Sequence, residues 1–327
     1  MFKNKVLSLT NNLLKMKKKL LLIVVIFSCM FELYSQENPF ITQQWYSRIN
    51  HNPASAGSND AWDIFMVHRN QWAGFKNAPK TTMLNIHTSI DDFNSGLGLS
   101  LAYDPEGPAR RSIISKLVYS YRINTTDMSQ LAFGLGVNVQ NRYINYGKLV
   151  PEVGGDPELG GTTENRTSFG VDFGLEFLTE RFVIGASATN LGRTYKALTT
   201  FLNGTQYYGY AHYKFPLGDD FDLAPTLSYV YGNTEHLFEL GTTLFYRDAV
   251  WGGLAYRVDN AICAFAGFRF NIFRLGYSFD YHTNDASNFG YTHEVVLSIR
   301  IAKPQPALIR NSDGSYRAAP NRFYNCR

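Results

Sequence analysis

The sequence predicts an all-β fold, a transmembrane antiparallel β-barrel of about 14 strands, and three observations predict it. The first is a two-residue rhythm that recurs after residue 60: Phe169, Val171, Phe173, Leu175 and Phe177 alternate with Gly170, Asp172, Gly174 and Glu176. A strand with that pattern sets one face against something apolar and the other against water. The second is composition, with 24 Phe, 21 Tyr and 27 Gly in 327 residues, which suits strands, tight turns and aromatic girdles. The third is an export signal at the N-terminus, which makes lipid the expected apolar partner.

Lys15, Lys17, Lys18 and Lys19 precede an apolar run from Leu20 to Phe27, the charge-then-grease order of a signal peptide. Residues 1–35 are assigned to it, with cleavage near Ser35–Gln36. Residues 1–15 read as an upstream extension, since Met16 is a second candidate start. Cys29 sits in a poor lipobox context and leaves with the signal. Residues 36–60 are polar and turn-rich and read as a short periplasmic lead-in.

Strands are then expected near 61–69, 80–90, 95–104, 111–123, 129–142, 165–178, 181–191, 205–216, 220–232, 235–247, 249–258, 261–270, 272–283 and 290–302. In one, Phe273, Leu275, Tyr277, Phe279 and Tyr281 oppose Arg274, Gly276, Ser278, Asp280 and His282. In the last, Val295, Leu297, Ile299 and Ile301 oppose Glu294, Ser298 and Arg300. Lys or Arg at the bilayer midplane costs roughly 2–4 kcal/mol, which explains why charge keeps to one face. A soluble β-sandwich alternates too, but its strands usually run about 5–6 residues, shorter than these. Tyr119, Tyr121, Tyr229 and Tyr281 stand near the ends of apolar faces, where a membrane interface would take them. Tight joins at Thr179–Glu180, Asp248 and Asn271 contrast with longer stretches at 143–164 and 192–204, the expected periplasmic turns and outer loops. Residues 61–302 therefore form the barrel, and 303–327 a polar periplasmic tail.

Mean hydropathy is only −0.21, and no apolar run long enough for a helical span follows the N-terminus. The net charge of +4 has no basic patch with interleaved aromatics, so a nucleic-acid partner is not expected. No zinc spacing, phosphate loop or nucleotide fingerprint is present, so no cofactor or metal is assigned. Cys263 and Cys326 are read as unpaired thiols. Ser278, Asp280 and His282 line one strand face, yet neighbours two apart on a strand lie roughly 6.5–7 Å apart. A nucleophile and its base need about 2.6–3.2 Å, so this row reads as a lumen hydrogen-bond network with Arg274 rather than a hydrolase, and no catalytic residue is assigned. Asp172 and Glu176 read as lumen carboxylates balancing cations such as Lys116, Arg122 and Arg269.

The sharpest non-periodic signal is Asn52-Pro53-Ala54-Ser55-Ala56-Gly57, then Arg69-Asn70-Gln71-Trp72-Ala73-Gly74-Phe75, then Ala78-Pro79-Lys80-Thr81. Pro53 and Gly57 shape a turn before the first strand. Arg69 to Trp72 close that strand, Gly74 to Pro79 make the hairpin, Trp72 is a candidate interface anchor, and Arg69 a candidate holder of the N-terminal segment. This order of motifs resembles the PorP/SprF family of Bacteroidetes outer-membrane proteins over roughly residues 36–302. The resemblance implies a non-enzymatic component of type IX secretion, associated with gliding motility in some members. It also implies partners: a large secreted or surface-anchored, adhesin-like protein with a C-terminal sorting domain, and periplasmic parts of the secretion machinery. The mixed-charge polar face leaves a second reading open, a passive channel for small solutes.

Overall fold

A computed structural model of the chain describes residues 40–59, 61–90, 93–126, 128–148, 163–192, 204–232, 236–303, 309–310 and 316–317. The expected signal peptide with Cys29, almost all of the tail, and Cys326 lie outside these residues. The strands are β1 (Ala61–Asn70), β2 (Lys80–Ile90), β3 (Ser95–Glu106), β4 (Arg110–Thr126), β5 (Ser129–Ile144), β6 (Glu164–Thr179), β7 (Phe182–Leu191) and β8 (Gln206–Tyr213). There follow β9 (Phe215–Leu217), β10 (Phe221–Gly232), β11 (His236–Tyr246), β12 (Val250–Arg257), β13 (Ala261–Phe270), β14 (Phe273–His282) and β15 (Thr292–Ala302).

Every strand pairs antiparallel with its neighbours, and β15 returns to pair with β1, Ala302 opposite Ala61 and His293 opposite Asn70. The sheet is therefore closed and has no free edge to blunt. Its 15 segments make 14 staves, because β8 and β9 both pair with β10 and form one strand interrupted at Lys214. The expected alternation is observed. Phe169, Val171, Phe173 and Leu175 point outward, while Asp172 and Glu176 are buried inside. Tyr119, Tyr121, Tyr229 and Tyr281 also face out. Because β4 and β14 run in opposite directions, Tyr119 and Tyr121 lie toward one rim and Tyr281 toward the other, as two girdles require.

The two ends differ. One carries the connections 71–79, 107–109, 145–163, 192–205, 233–235, 258–260 and 283–291. The other carries only 91–94, 127–128, 180–181, 218–220, 247–249 and 271–272. The short turns use left-handed backbone where the strand twist demands it, at Arg247 (φ 48°), Asp248 (φ 50°) and Asn271 (φ 55°). The long-loop end is the extracellular one by the general rule for such barrels, and the chain leaves β15 at the short-turn end.

One expectation fails. Residues 40–59 are not a lead-in outside the barrel; they run through its lumen. Ile41, Gln43, Ile49, Asn52 and Ala56 are almost wholly buried by the surrounding strands. Apolar burial explains the placement. Of the four buried apolar clusters among the described residues, one is built on Ile41, one on Ala54, one on Ile49 and Ala56, and the fourth packs against Trp45 and Tyr46. The wall turns Phe65, Val67, Trp251 and Phe265 inward, and the apolar residues of the segment pack among such side chains.

Candidate functional site: a segment threaded through the lumen

The lumen segment enters at the long-loop end. Thr42 sits among Arg69 on β1, Arg257 on β12, Asp280 on β14 and Glu294 on β15, all on the lumen face near that rim. Its backbone N–H donates to both Glu294 oxygens, at 3.1 and 3.0 Å. Its hydroxyl accepts from Arg257 at 2.8 Å and has one proton to share between Asp280 at 2.9 Å and Glu294 at 3.1 Å. Arg69 bridges Asp280 at 2.9 Å and Glu294. Arg257 bridges Asp280 at 2.9 Å and Glu239 at 2.7 Å, and its guanidinium lies 4.6 Å over the Phe40 ring. Buried charges persist only when paired and hydrogen-bonded, and here each finds partners. The cluster also crosses the closing seam, because Arg69 is on β1 and Glu294 on β15. Arg69 and Thr42 share the carboxylates of Asp280 and Glu294.

Below this latch, Gln43 donates to Ser278 at 2.8 Å and accepts from the Trp251 indole at 3.1 Å. Trp45 stacks on His212 at 5.7 Å, and Tyr46 packs on Trp251 and under Arg274. Arg48 pairs with Glu176 at 2.8 Å. The His51 ring stacks on Tyr208 at 5.1 Å. The Asn50 carbonyl takes Lys116 at 2.8 Å, and Lys116 in turn meets Asp172 at 3.0 Å. Asp172 and Glu176 thus do balance cations, but Glu176 takes Arg48 of the lumen segment. Arg122 instead donates to the carbonyls of Ala56 and Ser95, both at 3.0 Å.

The lower half fits by shape. Asn52 caps the 3-10 turn Pro53–Ser55 by accepting from the Ala54 N–H at 2.9 Å, and it donates to the Leu175 carbonyl and the Tyr210 hydroxyl, both at 2.9 Å. Pro53 and Ala54 lie against Gly134 so closely that a Cβ there would stand 2.0 Å from the Ala54 nitrogen. A Cβ at Gly174 would stand 1.9 Å from the Asn52 side chain. Gly134 and Gly174 are notches for this segment. Gly57, in left-handed backbone (φ 64°), donates to His87 at 3.1 Å, and Asn59 reaches Asp63 on β1 at 2.8 Å. The segment therefore spans the lumen from the long-loop end at Thr42 to the short-turn end at Asn59.

The residues singled out in sequence divide between two places. Asn52, Pro53 and Gly57 belong to the lower lumen segment. Arg69, Gln71, Trp72, Gly74 and Pro79 belong to the long-loop end, where Gln71 donates to the Pro79 carbonyl at 3.0 Å. Asn70 lies opposite Lys80 and His293 in the β2–β1–β15 register. Trp72 lies in the loop that follows β1. It takes left-handed backbone (φ 53°) and packs on His282 and Phe289, tying loop 71–79 to loop 283–291. The Ala73 N–H donates to the Tyr291 carbonyl at 2.7 Å, and Gly74 admits the Phe289–Gly290 backbone so closely that a Cβ would lie 3.3 Å from the Phe289 oxygen. Phe75 and Phe289 meet edge to face at 5.2 Å and remain half exposed.

Ser278, Asp280 and His282 serve different partners: Gln43, the two arginines with Thr42, and Thr292 at 2.9 Å. They form no relay. Cys263 is a free, buried thiol near Asp280 and Arg257. Sequence reading did not single out Thr42, Gln43, Arg48, Glu239 or Arg257 as site residues. Only the run Phe40-Ile41 followed by Trp45-Tyr46, apolar residues in a segment otherwise read as polar, could have signalled that residues 40–59 are buried.

Closed pairing, an outward apolar face and asymmetric loops define an outer-membrane β-barrel protein. The family model described as type IX secretion system membrane protein PorP/SprF matches residues 33–299, and the chain belongs to that family. No curated protein is significantly similar to it. Among solved structures, the outer-membrane protein Omp33 of Acinetobacter baumannii is 10% identical with a TM-score of 0.43, covering 74% of this chain and 98% of its own. The toluene transporter TbuX of Ralstonia pickettii is 10% identical with a TM-score of 0.46, covering 78% and 93%. A Pseudomonas aeruginosa FadL homologue is 12% identical with a TM-score of 0.42, covering 74% and 88%.

Proposed function

We propose that this outer-membrane component of type IX secretion binds one particular secreted or surface-anchored protein and supports its export or attachment, without catalysis. The observation that carries the reading is the long-loop end. There the Arg69–Phe75 motif is welded to loop 283–291 and leaves Phe75 and Phe289 as a paired aromatic contact open to a partner. Exposed aromatics on a rigid support are the usual anchors of a protein interface. The partner class proposed, a large adhesin-like protein with a C-terminal sorting domain, is the one that the family resemblance implies. Periplasmic parts of the machinery would meet the short-turn end.

The channel reading draws less support, because the lumen segment occupies the space a solute would cross, with Gly134 and Gly174 fitted to it. The test compares cell-surface proteins of wild type, a gene deletion, and a Phe75→Ser/Phe289→Ser variant made at wild-type level. Loss of one large type IX cargo from the surface in both is expected. Normal display of every cargo in the deletion would sink the partner reading. Steady solute-selective currents from the purified protein in planar bilayers would favour the channel.

A further inference from the structure

We infer that the chain upstream of Phe40 emerges on the extracellular side, having passed through the lumen of its own barrel. Three observations carry this. Thr42 is bonded to Arg69, Arg257, Asp280 and Glu294, which lie near the long-loop ends of β1, β12, β14 and β15. Asn59 is bonded to Asp63 at the short-turn end of β1. Between them the segment stays inside the wall: Gln43 bonds to Ser278, Arg48 to Glu176, Asn52 to the Leu175 carbonyl, Ala56 to Ser120 and Gly57 to His87. The segment's direction is fixed, with its earlier residues outermost.

The latch that bridges the seam is the same one that grips Thr42. An N-terminus left behind in the periplasm would require the segment to run in the opposite sense. This topology puts the Phe40 end of the segment, with Phe40 against Arg257, at the extracellular mouth. That it meets a cell-surface partner rests on the reading above; the topology does not.

The test places an epitope between Gln36 and Glu37 of the full-length chain and reads antibody binding to intact and permeabilised cells. A loop epitope after Asp156 and one after Arg327 serve as references for the two sides. Equal signal before and after permeabilisation is expected, as for the loop epitope. Signal only after permeabilisation, with the barrel still heat-modifiable on a gel, would overturn the inference whether or not a partner is found. Should the epitope block folding, Asn38→Cys in a Cys326→Ser background, labelled with a membrane-impermeant maleimide on intact cells, reads the same side. Labelling is expected, and its absence would count against the inference.

Discussion

The two ends of the lumen segment are held by opposite means. At the long-loop end, Thr42 hangs in a lattice of two arginines and three carboxylates. At the short-turn end, Asn52 to Gly57 lie in notches where the wall has given up its side chains at Gly134 and Gly174. The ionic grip is directional and joins strands far apart in sequence, so it sets register and closure. The steric grip is short-ranged and rejects anything larger than a hydrogen. Together they hold the segment along its length: charges across the seam and fitted contacts below it.

The sharpest way to break the comparison is at Arg69. Removing one partner from a buried ionic group leaves charge stranded and costs about 3–5 kcal/mol. Arg69→Ala should therefore lower the denaturant midpoint of the refolded barrel and reduce the heat-modifiable fraction more than any lower-half change. Arg69→Lys should recover only part, because a single ammonium does not reproduce a guanidinium's fork between two carboxylates. Equal behaviour of Arg69→Ala and wild type would mean the latch is not what holds the seam.

The lower half answers to volume. Gly134→Ala places a methyl 2.0 Å from a backbone nitrogen, where no flexible side chain can swing aside. Overpacking of that kind costs typically about 1–3 kcal/mol. Gly209→Ala is the control, since nothing lies within 4 Å of a Cβ built there. The expected result is a lowered midpoint for the first and none for the second. Two neutral substitutions would mean the notch is not fitted to the segment.

Legibility followed the same division. The outward face was readable because lipid imposes a period of two, and Phe169 to Leu175 show it with no knowledge of their neighbours. Asp172 and Glu176 were readable as lumen groups for the same reason. Their partners were only half readable: Lys116 shares the alternation, but Arg48 lies in a segment with no period at all. Residues 40–59 look like a polar linker because their apolar residues are scattered among polar ones, and the grease that buries them comes from many strands. Gly134 and Gly174 looked merely bare, since a glycine's reason lies in what approaches it. Arg69 stands out in the sequence as part of a motif. Its bridging of Asp280 and Glu294 is visible only once β14, β15 and β1 lie side by side.

The smallest effect is expected from an ion pair that looks, by distance, like the latch. Arg247 and Asp220 meet at 2.7 Å at the short-turn end, as close as Arg257 and Glu239. Their side chains are 63% and 42% exposed, however, where those of Arg257 and Glu239 are 1% and 6%. Water solvates the exposed charges whether or not they touch, and salt screens what attraction remains. Asp220→Asn should leave the denaturant midpoint unchanged at low and high ionic strength alike. A salt-dependent loss comparable to that of Arg69→Ala would show that proximity alone, and not enclosure by the lumen, sets the strength of these pairs.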